Sequence, residues 1–335
     1  MNIAFFEIEE WEKAFIERKL NAHTITFSTD PLTDGFSDLE HIEVLSIFIY
    51  TNITPELLTK MPNLKMIVTR STGYDHIDLK ACEAKNVIVT NVPEYGTQTV
   101  AEHTFALLLA LSRKLILSVE RTRKSDFTLG GLRGFDLYRK TIGVVGAGNI
   151  GQAVIRIAKG FGMDVLVYSR RQNIELAKRL GFMYVDLDHL YKVSDIITFH
   201  VPLTDETKHM LNKETLPKLR KGVVILNTAR GGILETEAIL MGLEQGIIQG
   251  AGIDVLEEEC YIKEERQLLT ESFIKECDLK TQLLNHVLVT KDNVLVTPHN
   301  AFNSQEALQR ILDVTVENML SFAQGKAINT ITISQ

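Results

Sequence analysis

Cysteine is scarce: Cys82, Cys260 and Cys277 stand far apart in 335 residues, with no Cys-x-x-Cys pair. An odd, scattered set argues against a disulfide framework and against a cysteine zinc site. Nor does any His/Cys/Asp/Glu group show metal-ligand spacing, so no metal is expected. Positive charge is not in excess: 36 Lys and Arg face 43 Asp and Glu, for a net charge of −7. The isoelectric point is about 5.8. Proteins of nucleic acids and membrane surfaces usually carry a basic face, so neither partner is expected. The densest basic cluster is Arg113, Lys114, Arg121, Arg123 and Lys124. It lies along a predicted helix and reads as a solvated face or a local subunit contact. Apolar runs fall short of the ~20 residues of a membrane-spanning helix. The opening MNIAFFEIEEWEKAF is too acidic and too interrupted for a signal peptide. A reducing, cytoplasmic setting is therefore the expectation. Repeats and low-complexity tracts are also missing.

What is present is an ordinary globular mix, 45% hydrophobic and 24% charged, long enough for two medium domains. Short β-rich runs alternate with helical patterns throughout. The early strands are NIAFFEI, TITFS, VLSIFIY, KMIVTR and VIVTNV, separated by EEWEKAFIERKL, TPELLTKMP and IDLKACEAKN as helices. Alternation of this kind means a parallel sheet covered by helices. Next comes TQTVAEHTFALLLALSRKLILSVERTRK, which reads as one long helix, apolar nearly all round from Phe105 to Leu117. Such a helix is buried in a large protein or an interface. It predicts a bridge between domains and a homodimer contact over 101–119.

A second series starts at Thr141, with strands TIGVVG, DVLVYS, FMYVD, DIITFHV, GVVILNT, GAGIDV and NVLVTP. IGQAVIRIAKGFG, IELAKRLG, TLPKLRKG and TEAILMGLEQG read as its helices. Six or seven parallel strands fit a doubly wound dinucleotide domain. Residues 256–292 fit neither pattern and read as an acidic, partly helical insertion. The last helical stretch, SQEALQRILDVTVENMLSFAQG, is expected to return to the first domain. The predicted division is 1–100 plus 300–335 against 101–299.

The chemistry-bearing residues cluster at predicted strand ends. VVGAGNIGQAV sets Gly146, Gly148 and Gly151 as G-x-G-x-x-G between an apolar strand and a helix. In that context Gly146 permits the turn, Gly148 lets a pyrophosphate approach and Gly151 packs helix on strand. The N–H groups and dipole at the helix start, Asn149 and Ile150, favour phosphate. LNTARGG places Thr228, Ala229 and Arg230 at one strand end, where an arginine can hold a carboxylate. GIDVLEEE puts Asp254 at the next, followed by Glu257, Glu258 and Glu259. VLVTPHNAF puts His299 at a third, where a histidine can exchange a proton near neutral pH.

The glycine motif, NTARG, the acid after GIDV and TPH resemble the D-isomer-specific 2-hydroxyacid dehydrogenases. RSTGYDHIDL, VPEYGTQTVAEHT and HVPLT are similar to further stretches of that family, so the resemblance runs nearly the whole chain in order. The long insertion before the histidine and PHNAF after it are more like its D-lactate dehydrogenase branch. The resemblance implies two doubly wound α/β domains, a flavodoxin-like substrate domain and a Rossmann domain, with a cleft between them. It implies reversible hydride transfer between NAD(P)H and a small 2-keto acid, most simply pyruvate. Arg230 matches the substrate-binding arginine, Glu259 the catalytic glutamate and His299 the acid/base. Thr72, Gly73, Tyr95 and Phe302 match substrate contacts. Asp254, His200, Val201 and Pro202 match residues near the coenzyme. His103 matches a structural position; His76, His189, His209 and His286 read as surface or packing residues. Glyoxylate, hydroxypyruvate or another 2-hydroxy acid remains an alternative substrate. A dinucleotide-sensing, corepressor-like interaction module is the non-enzymatic alternative.

One departure is informative. NAD-using members place an acid at the end of the second strand to hold the adenosine ribose. In GMDVLVYSRR that place is held by Ser169, followed by Arg170 and Arg171. Loss of the acid and gain of two guanidinium groups predict NADP(H) over NAD(H).

Overall fold

The computed structural model describes residues 1–33, 35–258 and 278–332. It contains two compact units, Met1–Tyr95 with Asn303–Gln335, and Gly96–Phe302. Both divisions fall beside helix N-caps, Gly96 and Ser304. No helix among the described residues is long and apolar enough to cross a membrane.

The first unit is built on five parallel strands, β1 (Asn2–Phe5), β2 (Thr24–Phe27), β3 (Val44–Ile47), β4 (Met66–Thr69) and β5 (Ile88–Thr90), in the order β2-β1-β3-β4-β5. That is the flavodoxin-like order. Side chains of a strand alternate between faces, and both faces here are covered. Ile3, Phe5, Val44, Met66 and Val68 pack under Leu312, Val316 and Met319 of the helix Gln305–Ala323. Ala4, Leu45, Ile67 and Val89 face the other way, against Leu57, Leu58 and Cys82. The returning helix starts where the sequence signals it, with the Ser304 side chain accepting from the Ala307 N–H.

The second unit has seven parallel strands: β6 (Thr141–Val145), β7 (Asp164–Tyr168), β8 (Met183–Tyr184), β9 (Ile196–Phe199), β10 (Val223–Asn227), β11 (Ile248–Ile253) and β12 (Val294–Val296). Their order is β12-β11-β10-β9-β6-β7-β8, the Rossmann order carried one strand further. The chain direction of winding reverses between β6 and β9, which are hydrogen-bonded neighbours.

Three expectations need correction. The long helix is two, Thr97–Ser112 and Leu115–Arg123, broken at Lys114 with φ 51°. The Ser112 carbonyl accepts from Phe135 N–H at 3.0 Å, which ends the first helix from outside. Residue 134 must be glycine for this, because a Cβ there would sit 2.0 Å from that oxygen. The first helix is buried in this unit, with Leu107 and Leu111 lying over Gly252 of β11, and Phe105 stacked on Phe161. Leu115, Ile116 and Val119 of the second are exposed. TLPKLRKG forms only a 3-10 turn, Leu216–Lys218, because Leu219 is extended with ψ 144° and the Arg220 N–H donates to Tyr191 O at 2.9 Å instead of continuing a helix. A helix not expected from sequence, Leu187–Val193, starts on Asp186, whose side chain accepts from His189 N–H. Within the acidic insertion, Leu279–Val289 is helical and capped by Asp278.

A buried cation ties the strand ends of the first unit together. Arg70, just past β4, is 2% exposed. Its guanidinium donates to Ser46 Oγ on β3 at 3.0 Å and to the Phe6 and Glu7 carbonyls at 2.9 and 2.5 Å. Glu7, with φ 57°, accepts from Phe48 N–H at 2.7 Å and Thr51 hydroxyl at 2.5 Å. Burial pushes the Glu12 carboxyl above its usual value, and the Arg70 charge opposes that shift. Truncating a buried, hydrogen-bonded charge strands its partners. Arg70→Met should therefore destabilise this unit by about 3 kcal/mol. Trp11, the only tryptophan, lies in this unit and reports its urea transition by fluorescence. An unmoved midpoint would show that the network contributes no net stability.

Candidate active site

The turn after β6 is built for a close backbone approach. Gly146 has φ 103°, and a Cβ there would meet the His200 carbonyl oxygen at 2.4 Å. Its N–H donates to Tyr168 O at 2.8 Å, and His200 N–H donates to Val145 O at 2.8 Å. The ends of β7, β6 and β9 are thus pinned side by side. A Cβ on Gly151 would sit 2.1 Å from Gly146 O, so the helix Asn149–Gly160 can start against the turn only with glycine there. Gly148 is its N-cap and gives the first turn no side-chain acceptor. A Cβ on Gly148 would meet no protein atom within 4 Å. Glycine-only contacts, an uncapped helix start beside Asn149 and Ile150, and clear space above Gly148 fit the pyrophosphate of a dinucleotide.

His200 and Val201 form the opposite rim, and Pro202 follows. His200 Nε2 pairs with Thr198 Oγ1 at 2.8 Å, whereas its Nδ1 is shut from solvent and has no hydrogen-bond partner. An orphaned ring nitrogen at this crevice also fits a ligand with polar groups. Burial lowers the His200 pKa to about 3. At the end of β7, Ser169 is half-buried and Arg170 and Arg171 are exposed. Arg170 Nη1 meets Glu206 Oε2 at 2.7 Å, a pairing the sequence did not signal.

Three adjacent strands, β10, β11 and β12, end on the other predicted residues. Asn227 is fully buried; its Oδ1 accepts from Ala229 N–H at 3.1 Å and its Nδ2 donates to Arg230 O at 2.9 Å. Thr228 is held by Thr104 Oγ1 at 2.9 Å, and Arg230 Nη1 donates to Ala229 O at 2.7 Å. Asp254 is 2% exposed and organises the loop after β12. Its carboxylate accepts from Thr297 Oγ1 at 2.5 Å, Asn300 N–H at 3.0 Å and Ala301 N–H at 2.9 Å. Its carbonyl accepts from His299 N–H at 2.9 Å, and His299 has φ 51°. His103 Nε2 reaches Thr297 Oγ1 at 3.0 Å, a structural place in this loop.

Glu259 lies outside the described residues. The segment leading to it is fastened through Glu257, whose carboxylate meets His209 Nε2 at 2.5 Å and Thr236 N–H at 2.8 Å. Phe302 lies near Gly96, its Cβ 3.9 Å from where a Gly96 Cβ would stand. In the first unit, Thr72 Oγ1 donates to Val92 O at 2.8 Å, and Gly73 O accepts from Ser71 Oγ at 2.6 Å. Tyr95 O accepts from Arg310 Nε at 2.8 Å. Among the described residues no group of three or more His, Cys, Asp or Glu is placed to hold a metal.

The His200 shift has a pH consequence. A histidine kept neutral in the fold takes up its proton more readily when unfolded. Its stabilising effect is complete above the unfolded value near 6.5 and declines as pH falls toward about 3. In coenzyme-free protein, His200→Gln should flatten the fall in Tm between about pH 6.5 and pH 4. A Tm–pH slope equal to that of the wild type would remove the buried histidine as a contributor.

Comparison with known proteins agrees with this geometry. Residues 105–301 match the family model of the D-isomer specific 2-hydroxyacid dehydrogenase NAD binding domain. A 2-hydroxyacid dehydrogenase homolog of Haemophilus influenzae is 38% identical, covering 99% of both chains. A glyoxylate reductase of Pyrococcus furiosus is 33% identical over 96% of this chain and 87% of that one. The crystal structure of Aquifex aeolicus D-lactate dehydrogenase with NAD and lactic acid superimposes with a TM-score of 0.84 at 35% identity, covering 99% of this chain and all of the other. With seven parallel strands in Rossmann order, a glycine cradle and matches along its whole length, this chain belongs to the D-isomer-specific 2-hydroxyacid dehydrogenases, oxidoreductases that use a nicotinamide dinucleotide.

Proposed function

We propose that this dehydrogenase reduces pyruvate to D-lactate and runs the reverse oxidation. The observation that carries the reading is the set Arg230, Asp254 and His299 at three adjacent strand ends, on the same sheet edge as the glycine cradle. Likeness to the A. aeolicus enzyme, solved with lactic acid, supports the choice of substrate. When bound, the nicotinamide coenzyme supplies or accepts a hydride at C2 of the acid. Arg230 holds the carboxylate and polarises the ketone through charge-assisted hydrogen bonds. His299, protonated, donates to the alkoxide oxygen as it forms; neutral, it takes that proton in the oxidation. By resemblance to the family, Glu259 is the acid that favours the charged form of that imidazole. The resemblance to the family assigns Thr72 and Gly73, through their backbone N–H groups, to the substrate carboxylate, and Tyr95 and Phe302 to further substrate contacts. Asp254 matches the family residue that would lie near the nicotinamide amide, and through the loop 297–301 it places His299.

The test is a panel of 2-keto acids with either reduced coenzyme, read by absorbance. Pyruvate should give the highest kcat/KM. A preference for glyoxylate would align the chain instead with the P. furiosus relative, and no turnover of any acid would favour a dinucleotide-sensing interaction module. His299→Asn should lower kcat at least 100-fold with coenzyme affinity retained. Glu259→Gln should move the alkaline limit of pyruvate reduction to lower pH, because the imidazolium loses its counter-charge.

The coenzyme we propose is NADP(H). Ser169 stands where an acid would repel a 2′-phosphate, and Arg170 and Arg171 follow it. Wild type should show the higher kcat/KM with NADPH; Arg170→Ala or Arg171→Ala should weaken that preference, and Ser169→Asp should reverse it. A wild-type preference for NADH, untouched by either arginine change, rejects this reading. The working state we propose is a homodimer, formed through the exposed apolar side chains Leu115, Ile116 and Val119. Sedimentation at micromolar concentration should give twice the chain mass, and a stable monomer would dismiss it.

A further inference from the structure

The Arg170–Glu206 pair spans the coenzyme crevice. Strand register sets Val145 beside Tyr168 on one side and beside Phe199 on the other. Arg170 therefore leaves the end of β7, and Glu206 comes from the loop after β9, with the glycine turn of β6 between them. Their side chains meet at 2.7 Å. Glu206 does not reach this point on a loose loop. Thr204 N–H donates to Thr207 Oγ1 at 2.7 Å, and Thr207 Oγ1 donates to Pro202 O at 2.6 Å. Lys208 N–H donates to Thr204 O at 2.8 Å, closing the turn that carries Glu206. Thr207 is buried, so the turn is anchored in the fold while the carboxylate stands at its tip.

We propose that Glu206 is a specificity-determining residue, which holds Arg170 across the mouth of the crevice and competes with the coenzyme's 2′-phosphate for it. The proposal rests on the reading of Arg170 as a 2′-phosphate ligand. Both partners are largely exposed, with side-chain accessibilities of 65% and 70%. An exposed pair is weak, so a phosphate dianion can displace the carboxylate. The displaced carboxylate stays on the same anchored turn, close to the phosphate, and repels it. A coenzyme without the 2′-phosphate leaves the pair intact. The acid missing from the end of β7 is thus delivered from the neighbouring loop, and preference for the phosphorylated coenzyme is held below what two arginines alone would give. Glu206→Gln keeps the size of the side chain and removes both competition and repulsion.

The experiment is calorimetric titration of the full chain with 2′,5′-ADP and with 5′-AMP, which carry the adenosine end without the nicotinamide. Glu206→Gln should tighten 2′,5′-ADP about 5-fold and leave 5′-AMP within about 2-fold, as expected for loss of one exposed charge. The NADPH:NADH ratio of kcat/KM with one keto acid should rise by a similar factor. In an Arg170→Ala background, Glu206→Gln should have a smaller effect on 2′,5′-ADP than in wild type, since the competition is already gone. Equal tightening of both nucleotides, no change in either, or an undiminished effect in the Arg170→Ala background overturns the proposal. Failure of the NADP(H) reading looks different: wild type prefers NADH and the arginine variants are silent. A selective gain in 2′,5′-ADP binding on Glu206→Gln supports the proposal whichever coenzyme wild type prefers.

Discussion

A parallel strand cannot be joined to its neighbour by a tight turn; the chain must cross the sheet and start again from the same end. Everything functional in this protein follows from that constraint. In each sheet the crossovers bury both faces, and the loops at the strands' carboxyl ends are left to carry polar chemistry. In the Rossmann unit seven such loops share one edge. The winding reverses between β6 and β9, so their loops diverge and open a crevice. The glycine turn and the His200 rim line it. The same edge carries Arg230, Asp254 and His299 on the next three strands, at the ends of β10, β11 and β12.

Loops at a sheet edge need their own supports, since no ladder holds them. Two buried charged groups meet that need. Asp254 is satisfied by Thr297, Asn300 and Ala301 of the loop it holds, and its carbonyl fixes His299 N–H. Arg70 does the corresponding work in the other unit, joining β1, β3 and β4 just ahead of Thr72 and Gly73. In both cases a full charge is buried with several hydrogen bonds, the condition under which burial is tolerated. A site supported in this way keeps its geometry without relying on the loops' own stiffness.

Much of the fold was legible in the sequence, because buried parallel strands read as continuous apolar runs and glycine turns have few substitutes. The apolar runs that precede GxGxxG, NTARG and TPH set these motifs at strand ends. The break at Lys114 was not legible. Its flanks, LLLALS and LILSV, are equally apolar, and the helix ends because Phe135, from a distant segment, takes the Ser112 carbonyl. The 3-10 turn at Leu216–Lys218 was no more legible, since a proline in a first turn is compatible with a longer helix and the stretch stops where Tyr191, from another helix, takes the Arg220 N–H.

The sequence by itself determined the two α/β series, the dinucleotide cradle and the residues at the strand ends. Each of these rests on local properties: side-chain period, backbone freedom and residue chemistry in short windows. Only the tertiary structure decided the roles of Arg70, Asp254, His200 and Glu206. Glu206 is one of 43 acidic residues, and nothing in TDETK distinguishes it. Its meaning comes from lying opposite Arg170, 36 residues away along the chain and 2.7 Å away in space. Partners brought together by crossovers leave no local pattern, because the sheet order that makes them neighbours is a property of the whole unit.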